Sequence, residues 1–203
     1  MFYVGLDLGQ RRDHTAIAVL ERKERVPAYG PSVFERLLVR HLERLPLGTP
    51  YTSVVSVVQS IVQDQELRGR CVLVVDGTGV GAPVVDALRA ARLNCEVCAV
   101  TITSGDREHQ QGAAWNVPKK DLIAGVQVLL ERGELSIAGK LAEAGSLVRE
   151  LLNMRITLVG NGRVRLGADG LGEHDDLVIA VALACWRARR RQNGVGTQRL
   201  TGI

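Results

Sequence analysis

The chain has 203 residues and a net charge of +4, and 46% of its residues are hydrophobic, 24% charged and 3% aromatic. These values are typical of one globular domain with a sizeable core; the apolar runs are too short to span a membrane, and the N-terminus lacks the pattern of a signal peptide. The positive charge mildly favours a polyanionic partner and is equally consistent with an unremarkable basic surface. The scarcity of aromatic side chains argues against a surface that stacks single-stranded bases.

The first half of the chain predicts four strands and one helix. Apolar runs at residues 2–9 and 14–22, separated by a polar turn, and a further run at residues 33–45 predict the first three strands. Because the first turn is short, we expect these strands to form an antiparallel meander. Residues 52–67 have helical spacing, and the continuous apolar run at residues 71–76 is typical of a strand buried in a parallel sheet.

The second half of the chain is richer in helices. Residues 82–93 predict a helix and residues 95–102 a fifth strand, after which the polar stretch 103–116 is expected to be irregular. Two more helices and a β-hairpin are predicted at residues 119–133, 140–154 and 156–167. The last helix begins within "LGEHDDLVIAVALACW" and is apolar almost all the way round.

This order of elements predicts an α/β fold, with a mixed central sheet of five main strands flanked by helices and an extra β-hairpin before the last helix. We expect one domain over residues 1–192 and a flexible tail over residues 193–203. The four cysteines indicate a reducing compartment. Cys95 and Cys98 have the spacing of a metal or redox pair, but on a strand they face opposite sides, so neither role is expected.

Acidic residues stand at the ends of three elements. Asp7 ends the first strand and Asp76 the fourth, while Asp175 and Asp176 open the last helix. Sites in open α/β sheets form outside the carboxyl ends of parallel strands, so neighbouring first and fourth strands would bring these acids into one cleft. Such a cluster needs cations, and hard oxygen ligands select Mg²⁺ or Mn²⁺. Two such ions side by side can cleave a phosphodiester by in-line attack.

The same acids also have a purely structural interpretation. An aspartate after a strand is commonly a turn residue, which would account for Asp7 and Asp76 separately. Asp175 has the position of an N-cap, and Asp176 would be favourable in the first helical turn. Spacing alone leaves both interpretations open.

Four motifs in series resemble one known family. They are "GLDLGQRRDHTAIAVL", "VVDGTGVGAPVVDAL", "WNVPKKDLIAGVQVLLERGELSI" and "GEHDDLVIAVALACW". Together they resemble the nuclease domain of the large terminase subunit of tailed bacteriophages, a member of the ribonuclease H-like superfamily. The resemblance implies a ribonuclease H-like fold with the first and fourth strands adjacent. It also implies a set of metal-binding and accessory acids: Asp7, Asp76 and Asp176 as ligands, Asp175 as a direct or indirect ligand, and Asp13 as an accessory acid.

The resemblance implies a two-metal-ion-dependent endonuclease that cleaves double-stranded DNA with little sequence preference, as in phage genome packaging. The implied partners are DNA, a terminase ATPase domain, the small terminase subunit and the portal, in the cytoplasm of a bacterial host. This chain carries no ATPase motor, and its glycine-rich "GTGVGAP" lacks the Lys-Ser/Thr of a phosphate-binding loop. We therefore expect these glycines to form the turn that presents Asp76. We also expect the protein to be monomeric in isolation and to have no membrane segment.

Basic side chains near the acids are candidates for contact with DNA. Those expected to bind phosphates are Lys119, Lys120, Arg163 and Arg165. His174, next to the acid pair, is a candidate for contact with DNA or a metal, and His109 for the border of the substrate groove. Each of them is also consistent with an ordinary solvated surface residue.

Three other functions share parts of this pattern. A Holliday-junction resolvase has the same fold and acids, and is expected to be dimeric. A sugar-kinase or actin-like ATPase has phosphate loops similar to "GLDLG" and "VVDGTGVG", but it needs two lobes, and 203 residues supply about one. A non-catalytic DNA-binding or assembly module of the same fold is the third alternative.

Overall fold

This computed structural model describes residues 1–9, 13–25, 28–29, 33–79, 81–159, 163–168 and 174–190, with only the backbone described for 155–159 and 163–168. The described strands of the central sheet are β1 (Phe2–Asp7), β2 (Ala16–Arg25), β3 (Val33–Arg44), β4 (Cys71–Asp76), β5 (Glu96–Thr103), β6 (His109–Gln111), β7 (Ala114–Pro118) and β8 (Leu135–Ile137). The described helices are α1 (Tyr51–Val62), α2 (Gly81–Ala90), α3 (Lys119–Glu131), α4 (Ala144–Asn153) and α5 (Asp176–Arg189). A separate hairpin consists of β9 (Met154–Val159) and β10 (Arg163–Ala168).

The central sheet is mixed, with the spatial order β6-β7-β5-β4-β1-β2-β3-β8. Strands β1, β2 and β3 form the predicted antiparallel meander, and β4 lies parallel to β1 on its other side. Because β5 is parallel to β4, and β7 to β5, four neighbouring strands end at the same edge of the sheet. The predicted α/β class, the mixed sheet and the adjacency of the first and fourth strands are confirmed.

Side chains from the two faces of the sheet form two hydrophobic cores. Val4 and Leu6 of β1 belong to the core shared with α1 and α2, whereas Tyr3 belongs to the core that contains α5. Helix α5 is buried without interruption from Leu177 to Cys185. This burial is what a helix with apolar residues on every side requires.

Helix α5 packs directly on β1 at Gly5. A Cβ atom at this position would lie 1.9 Å from the carbonyl oxygen of Ala180. The absence of a side chain therefore lets the helix backbone approach the strand closely. Because Gly5 faces α5, the alternation of side chains along β1 makes Asp7 face the same helix.

The structure contains three short strands where the sequence predicts none. Strands β6 and β7 lie largely within the stretch expected to be irregular, and β8 follows α3 and pairs in parallel with β3. Strands β6 and β8 have three residues each, and β6 is exposed throughout. Such short or exposed strands have no hydrophobic period that could reveal them. The described sheet thus has eight strands rather than the five main ones predicted.

The remaining predictions about the chain as a whole have mixed outcomes. Cys98 lies in the core that contains α5 and Cys95 packs against the opposite core, so the pair faces opposite sides as predicted. No helix of the described ranges is long and apolar enough to cross a membrane. The predicted tail, residues 193–203, and the turn of the hairpin, residues 160–162, lie outside the described parts of the chain.

Candidate metal centre

Two aspartates stand side by side where β1 and β4 end. Leu6 and Val75 form the last pair in the parallel register, so Asp7 and Asp76 follow as the next neighbours. Neighbouring strands lie about 4.8 Å apart. Val74 belongs to the core that contains α5, and alternation therefore makes Asp76 face α5, as Asp7 does.

The two acids at the start of α5 have different environments. Asp175 is the N-cap residue by position, but its side chain makes no capping hydrogen bond within the described structure. Instead, Lys119 Nζ donates a hydrogen bond to Asp175 Oδ2 at 2.6 Å. Asp176 is buried, with 4% of its surface exposed. The N-cap interpretation is thus right for the position of Asp175 and wrong for its side chain.

These acids line one cleft with a volume of about 330 Å³. The cleft brings together acids from three chain segments, an accessory acid and two basic side chains that the sequence singles out: Asp7, Asp13, Asp76, Lys119, His174, Asp175 and Asp176. Its lining is completed by Leu8, Gly9, Thr78, Ile102 and Ile179. Thr78 was not predicted as part of the site.

Other predicted residues lie away from this cleft or are not described. Lys120 Nζ forms an ion pair with the exposed Asp106 at 2.5 Å, outside the cleft lining. His109 is exposed on β6, where Asn116 Nδ2 donates a hydrogen bond to its Nε2 at 3.1 Å. Arg163 and Arg165 belong to β10, and their side chains lie outside the described parts.

The cleft has a deficit of positive charge. Burial raises the pKa of Asp7 well above its usual range, and the charges of three neighbouring carboxylates raise it further. Burial also raises the pKa of Asp76 and that of Asp176, although nearby donors and cations oppose the effect. All three acids therefore resist ionisation unless further positive charge enters the cleft.

The loop after β4 holds the side chain of Asp76. The backbone N–H of Thr78 donates to Asp76 Oδ1 at 2.9 Å, and the Thr78 hydroxyl donates to the same oxygen. Thr78 Oγ1 in turn accepts a hydrogen bond from the N–H of Ile102 at 2.8 Å. Gly79 has a φ of +66°, in the left-handed region that favours glycine. The glycine-rich stretch thus forms the expected turn that presents Asp76.

Asp176 shows most directly that a cation would fit the cleft. Its Oδ2 atom is buried and has no hydrogen-bond partner among the described residues. His174 Nδ1 lies 3.7 Å and Arg44 Nε 3.9 Å from this oxygen, both beyond the range of a good hydrogen bond. A buried carboxylate oxygen without a donor is costly, and a divalent cation would satisfy it. The oxygen ligands that Asp7, Asp76 and Asp176 offer suit Mg²⁺ or Mn²⁺ better than zinc.

The acids do not already form a closed coordination shell. No three His, Cys, Asp or Glu side chains of the described residues are grouped so as to hold a metal ion. Carboxylates repel one another, and here Thr78 and Lys119 draw Asp76 and Asp175 toward their own donors. Binding of a cation therefore requires some of these side chains to turn away from their present donors.

Sequence reasoning missed a carboxylate that caps α5 from another helix. Glu150 of α4 is buried, and its Oε2 accepts hydrogen bonds from the N–H groups of Leu177 at 3.0 Å and Val178 at 3.1 Å. Its Oε1 pairs with the guanidinium group of Arg44 at the end of β3. A signal was available, because Glu150 lies three residues after Leu147 on the buried stripe of α4, where an unpartnered charge is rarely found.

The described residues that flank the turn between β1 and β2 make contacts beside the cleft. Thr15 Oγ1 accepts a hydrogen bond from the N–H of Gly9 at 3.1 Å. His14 Nδ1 lies 2.9 Å from the carbonyl oxygen of Leu45, to which it donates, and the His14 ring packs edge-on against the His174 ring at 5.2 Å. The His14 ring therefore supports His174, which lines the cleft.

No protein-family model and no curated protein matches this chain. The large terminase nuclease from thermophilic phage G20c with bound magnesium is 21% identical, with a TM-score of 0.66 over 92% of this chain and 81% of that one. The large terminase nuclease domain from the bacteriophage SPP1 with bound Mn is 15% identical, with a TM-score of 0.56 over 92% and 85%. A human cytomegalovirus terminase nuclease domain, Mn soaked, is 16% identical, with a TM-score of 0.52 over 91% and 81%. The chain therefore has the ribonuclease H-like fold of terminase nuclease domains, as its four motifs predict.

Proposed function

We propose that this chain is a divalent-metal-dependent endonuclease that cleaves double-stranded DNA with little sequence preference, in the manner that its resemblance to terminase nucleases implies. The observation that carries the proposal is the meeting of Asp7, Asp76 and Asp176 in one cleft. Carboxylates that repel one another there are stabilised by cations, and cations placed beside a phosphate promote its hydrolysis.

The cations bound by similar structures support the choice of metal. The phage G20c nuclease was solved with bound magnesium and with bound cobalt, and the SPP1 domain with bound Mn. We infer that two Mg²⁺ or Mn²⁺ ions bind to this chain. Their proposed ligands are Asp7, Asp76 and Asp176, with Asp175 as a further ligand or as a carboxylate that orients one.

In the proposed reaction, Asp7, Asp76 and Asp176 would hold the ions, which when bound would supply an activated water and stabilise the charge on the departing 3′ oxygen. Asp7 and Asp76 lie at the ends of paired strands, which holds the backbone of both residues in a fixed place on the sheet. Lys119 now pairs with Asp175, and its ammonium group can bind a phosphate oxygen when that carboxylate turns toward a cation. We assign accessory contacts with DNA or metal to His174 and Asp13, which line the same cleft.

Contacts beyond the cleft would serve affinity rather than sequence recognition. We propose that Lys120, Arg163 and Arg165 bind phosphates of the duplex and that His109 borders the groove, because phosphate contacts carry no base information. In genome packaging the chain would act beside a terminase ATPase domain, a small terminase subunit and a portal, in the cytoplasm of a bacterial host.

Cleavage of supercoiled plasmid tests the proposal. With Mn²⁺ or Mg²⁺ we expect nicking and then linearisation, both of which disappear in chelator and in Asp76→Ala. The matched control is Asp86→Ala, which removes an acid from α2 whose side chain is 77% exposed, and which should cut at the wild-type rate. Undiminished cutting by Asp76→Ala would refute the assignment.

The same material separates the alternatives. A protein that binds Mn²⁺ and DNA without cutting either strand would be the non-catalytic module. A dimer in solution that cuts a four-way junction in preference to linear duplex would be the resolvase. ATP binding by the chain would point to the kinase-like alternative.

A further inference from the structure

The first turn of α5 depends on an acceptor that its own sequence does not supply. The first N–H groups of a helix have no partner within the helix and need one when the helix end is buried. Asp175 stands at the N-cap, but its side chain accepts from Lys119 instead of from the α5 backbone. Glu150 caps the helix in place of Asp175, because it accepts hydrogen bonds from the N–H groups of Leu177 and Val178, the two residues that follow Asp176.

This arrangement frees both acids of the pair from capping. An aspartate that caps its own helix turns its carboxylate back to the backbone, which leaves fewer of its lone pairs for a cation. Because Glu150 takes that role from the side of α4, Asp175 and Asp176 both line the cleft. The backbone of the first turn is at the same time fixed immediately next to Asp176.

Arg44 balances the charge of this cap. Its guanidinium group pairs with Glu150 Oε1, and its Nε lies 3.9 Å from Asp176 Oδ2. Without Arg44, the Glu150 carboxylate would add another buried negative charge beside the acids of the cleft. With it, one guanidinium group stands between the capping carboxylate and the proposed ligand.

We propose that Glu150, held by Arg44, is a positioning residue that orients Asp176 for divalent cations, an inference that rests on the proposed metal-dependent function. Outer residues that orient a ligand commonly change metal affinity by about 10–100-fold when they are replaced. Glu150 acts through the backbone of α5 and touches neither substrate nor metal in this scheme. Its substitution therefore weakens cation binding without removing a ligand.

The test is Mn²⁺ binding to the whole chain, measured by calorimetry, with Glu150→Gln as the variant. Glutamine has an NH₂ group in place of one carboxylate oxygen, so it would present a donor either to the N–H groups of α5 or to Arg44. We expect the dissociation constant for Mn²⁺ to rise by about tenfold. The matched control is Glu143→Gln at the opposite end of α4, where the glutamate side chain makes no capping hydrogen bond in the described structure, and it should bind as the wild type does.

A second variant separates positioning from stability. Replacing a buried ion pair by apolar residues of similar size often leaves stability unchanged. The double variant Arg44→Met, Glu150→Leu leaves no unpaired buried charge but removes the acceptor of the Leu177 and Val178 N–H groups. It is therefore expected to melt below the wild type in chelator, to remain folded at the temperature of the titration, and there to bind Mn²⁺ about tenfold more weakly. The double variant also tests the positioning role of Glu150 if Glu150→Gln does not fold.

Cleavage supplies an additional readout. We expect the Mn²⁺ concentration for half-maximal cutting to rise with the dissociation constant, and the rate at saturating Mn²⁺ to recover to within about twofold, because the ligands themselves remain. Wild-type Mn²⁺ affinity in either folded variant would overturn the inference. Failure of the wild-type chain to bind Mn²⁺ would instead refute the proposed function, so the two failures are distinguishable.

Discussion

Replacement of Asp7 by asparagine should stabilise the metal-free protein and abolish its response to metal. Burial and three neighbouring carboxylates raise the pKa of Asp7, so the folded protein binds this proton more tightly than the unfolded chain does. The favourable contribution of Asp7 is then complete below its unfolded pKa and is lost as the pH rises through its folded pKa. Above the unfolded pKa, keeping Asp7 protonated or burying its charge costs free energy that asparagine does not cost.

The size of the effect follows from ordinary costs of burial. The charge of a carboxylate adds a cost of burial on the order of 1–3 kcal/mol that a neutral amide does not have, and each kcal/mol moves the melting temperature of a protein of this size by about 2–4 °C. In chelator at pH 7–8, Asp7→Asn should therefore melt about 2–12 °C above the wild type. Mn²⁺ at about 100 times its dissociation constant adds about 2.7 kcal/mol to the wild type, which is an increase of about 5–11 °C, and should add almost nothing to the variant.

The assay is thermal unfolding at a series of pH values, in chelator and in Mn²⁺, with Asp86→Asn as the control at an exposed acid. The difference between Asp7→Asn and the wild type in chelator should shrink toward zero as the pH falls below about 4, where both side chains are neutral. Equal stabilisation of both proteins by Mn²⁺ would refute the reasoning. So would a lower melting temperature of Asp7→Asn in chelator at neutral pH.

Three further predictions concern the contribution of other residues to the stability of the folded protein. Lys119→Met removes the cation paired with Asp175, so it should lower the free energy of unfolding in chelator by about 1–2 kcal/mol, and Mn²⁺ should largely restore the lost stability; an unchanged melting temperature would contradict the charge deficit of the cleft. Gly5→Ala should destabilise by about 3 kcal/mol in urea unfolding, since its Cβ would overlap the Ala180 carbonyl, and wild-type stability would contradict that close approach. Arg190→Gln should cost about 1–2 kcal/mol and change tryptophan fluorescence without altering Mn²⁺ affinity, because Arg190 stacks on both tryptophan rings at 4.1 and 4.5 Å; unchanged fluorescence would count against that stacking.

The positions of the acids at the strand ends could be predicted from two simple rules. A buried strand has side chains that alternate between faces, and the carboxyl ends of neighbouring parallel strands meet at one edge. Asp7 and Asp76 follow from these rules once β1 and β4 are recognised as neighbours. The pairing of β1 with β4 was predicted from the resemblance to a family, because the sequences of two apolar strands do not show which strands pair with each other.

These rules do not predict which of the basic residues line the cleft. Lys119 and Lys120 are adjacent in the sequence, and successive residues of a helix point about 100° apart. Only the direction of α3 relative to the sheet decides that Lys119 lines the cleft while Lys120 pairs with Asp106. Glu150 was missed for a related reason, because its partners lie on α5 and β3, far away along the chain.

The burial of α5 explains why the chain presents negative charge on its most apolar helix. Each end of α5 is satisfied by a side chain from another element: Glu150 accepts from its first turn, and Arg22 donates to the carbonyl of Ala188 in its last. These charges also oppose the helix dipole, and Gly5 lets the middle of the helix rest on β1. A helix held in this way cannot shift to relieve repulsion between Asp176 and the acids of the sheet, because a close-packed core resists movement. Movement of the helix therefore cannot relieve repulsion between the ionised carboxylates, and a divalent cation of the kind proposed above would relieve it.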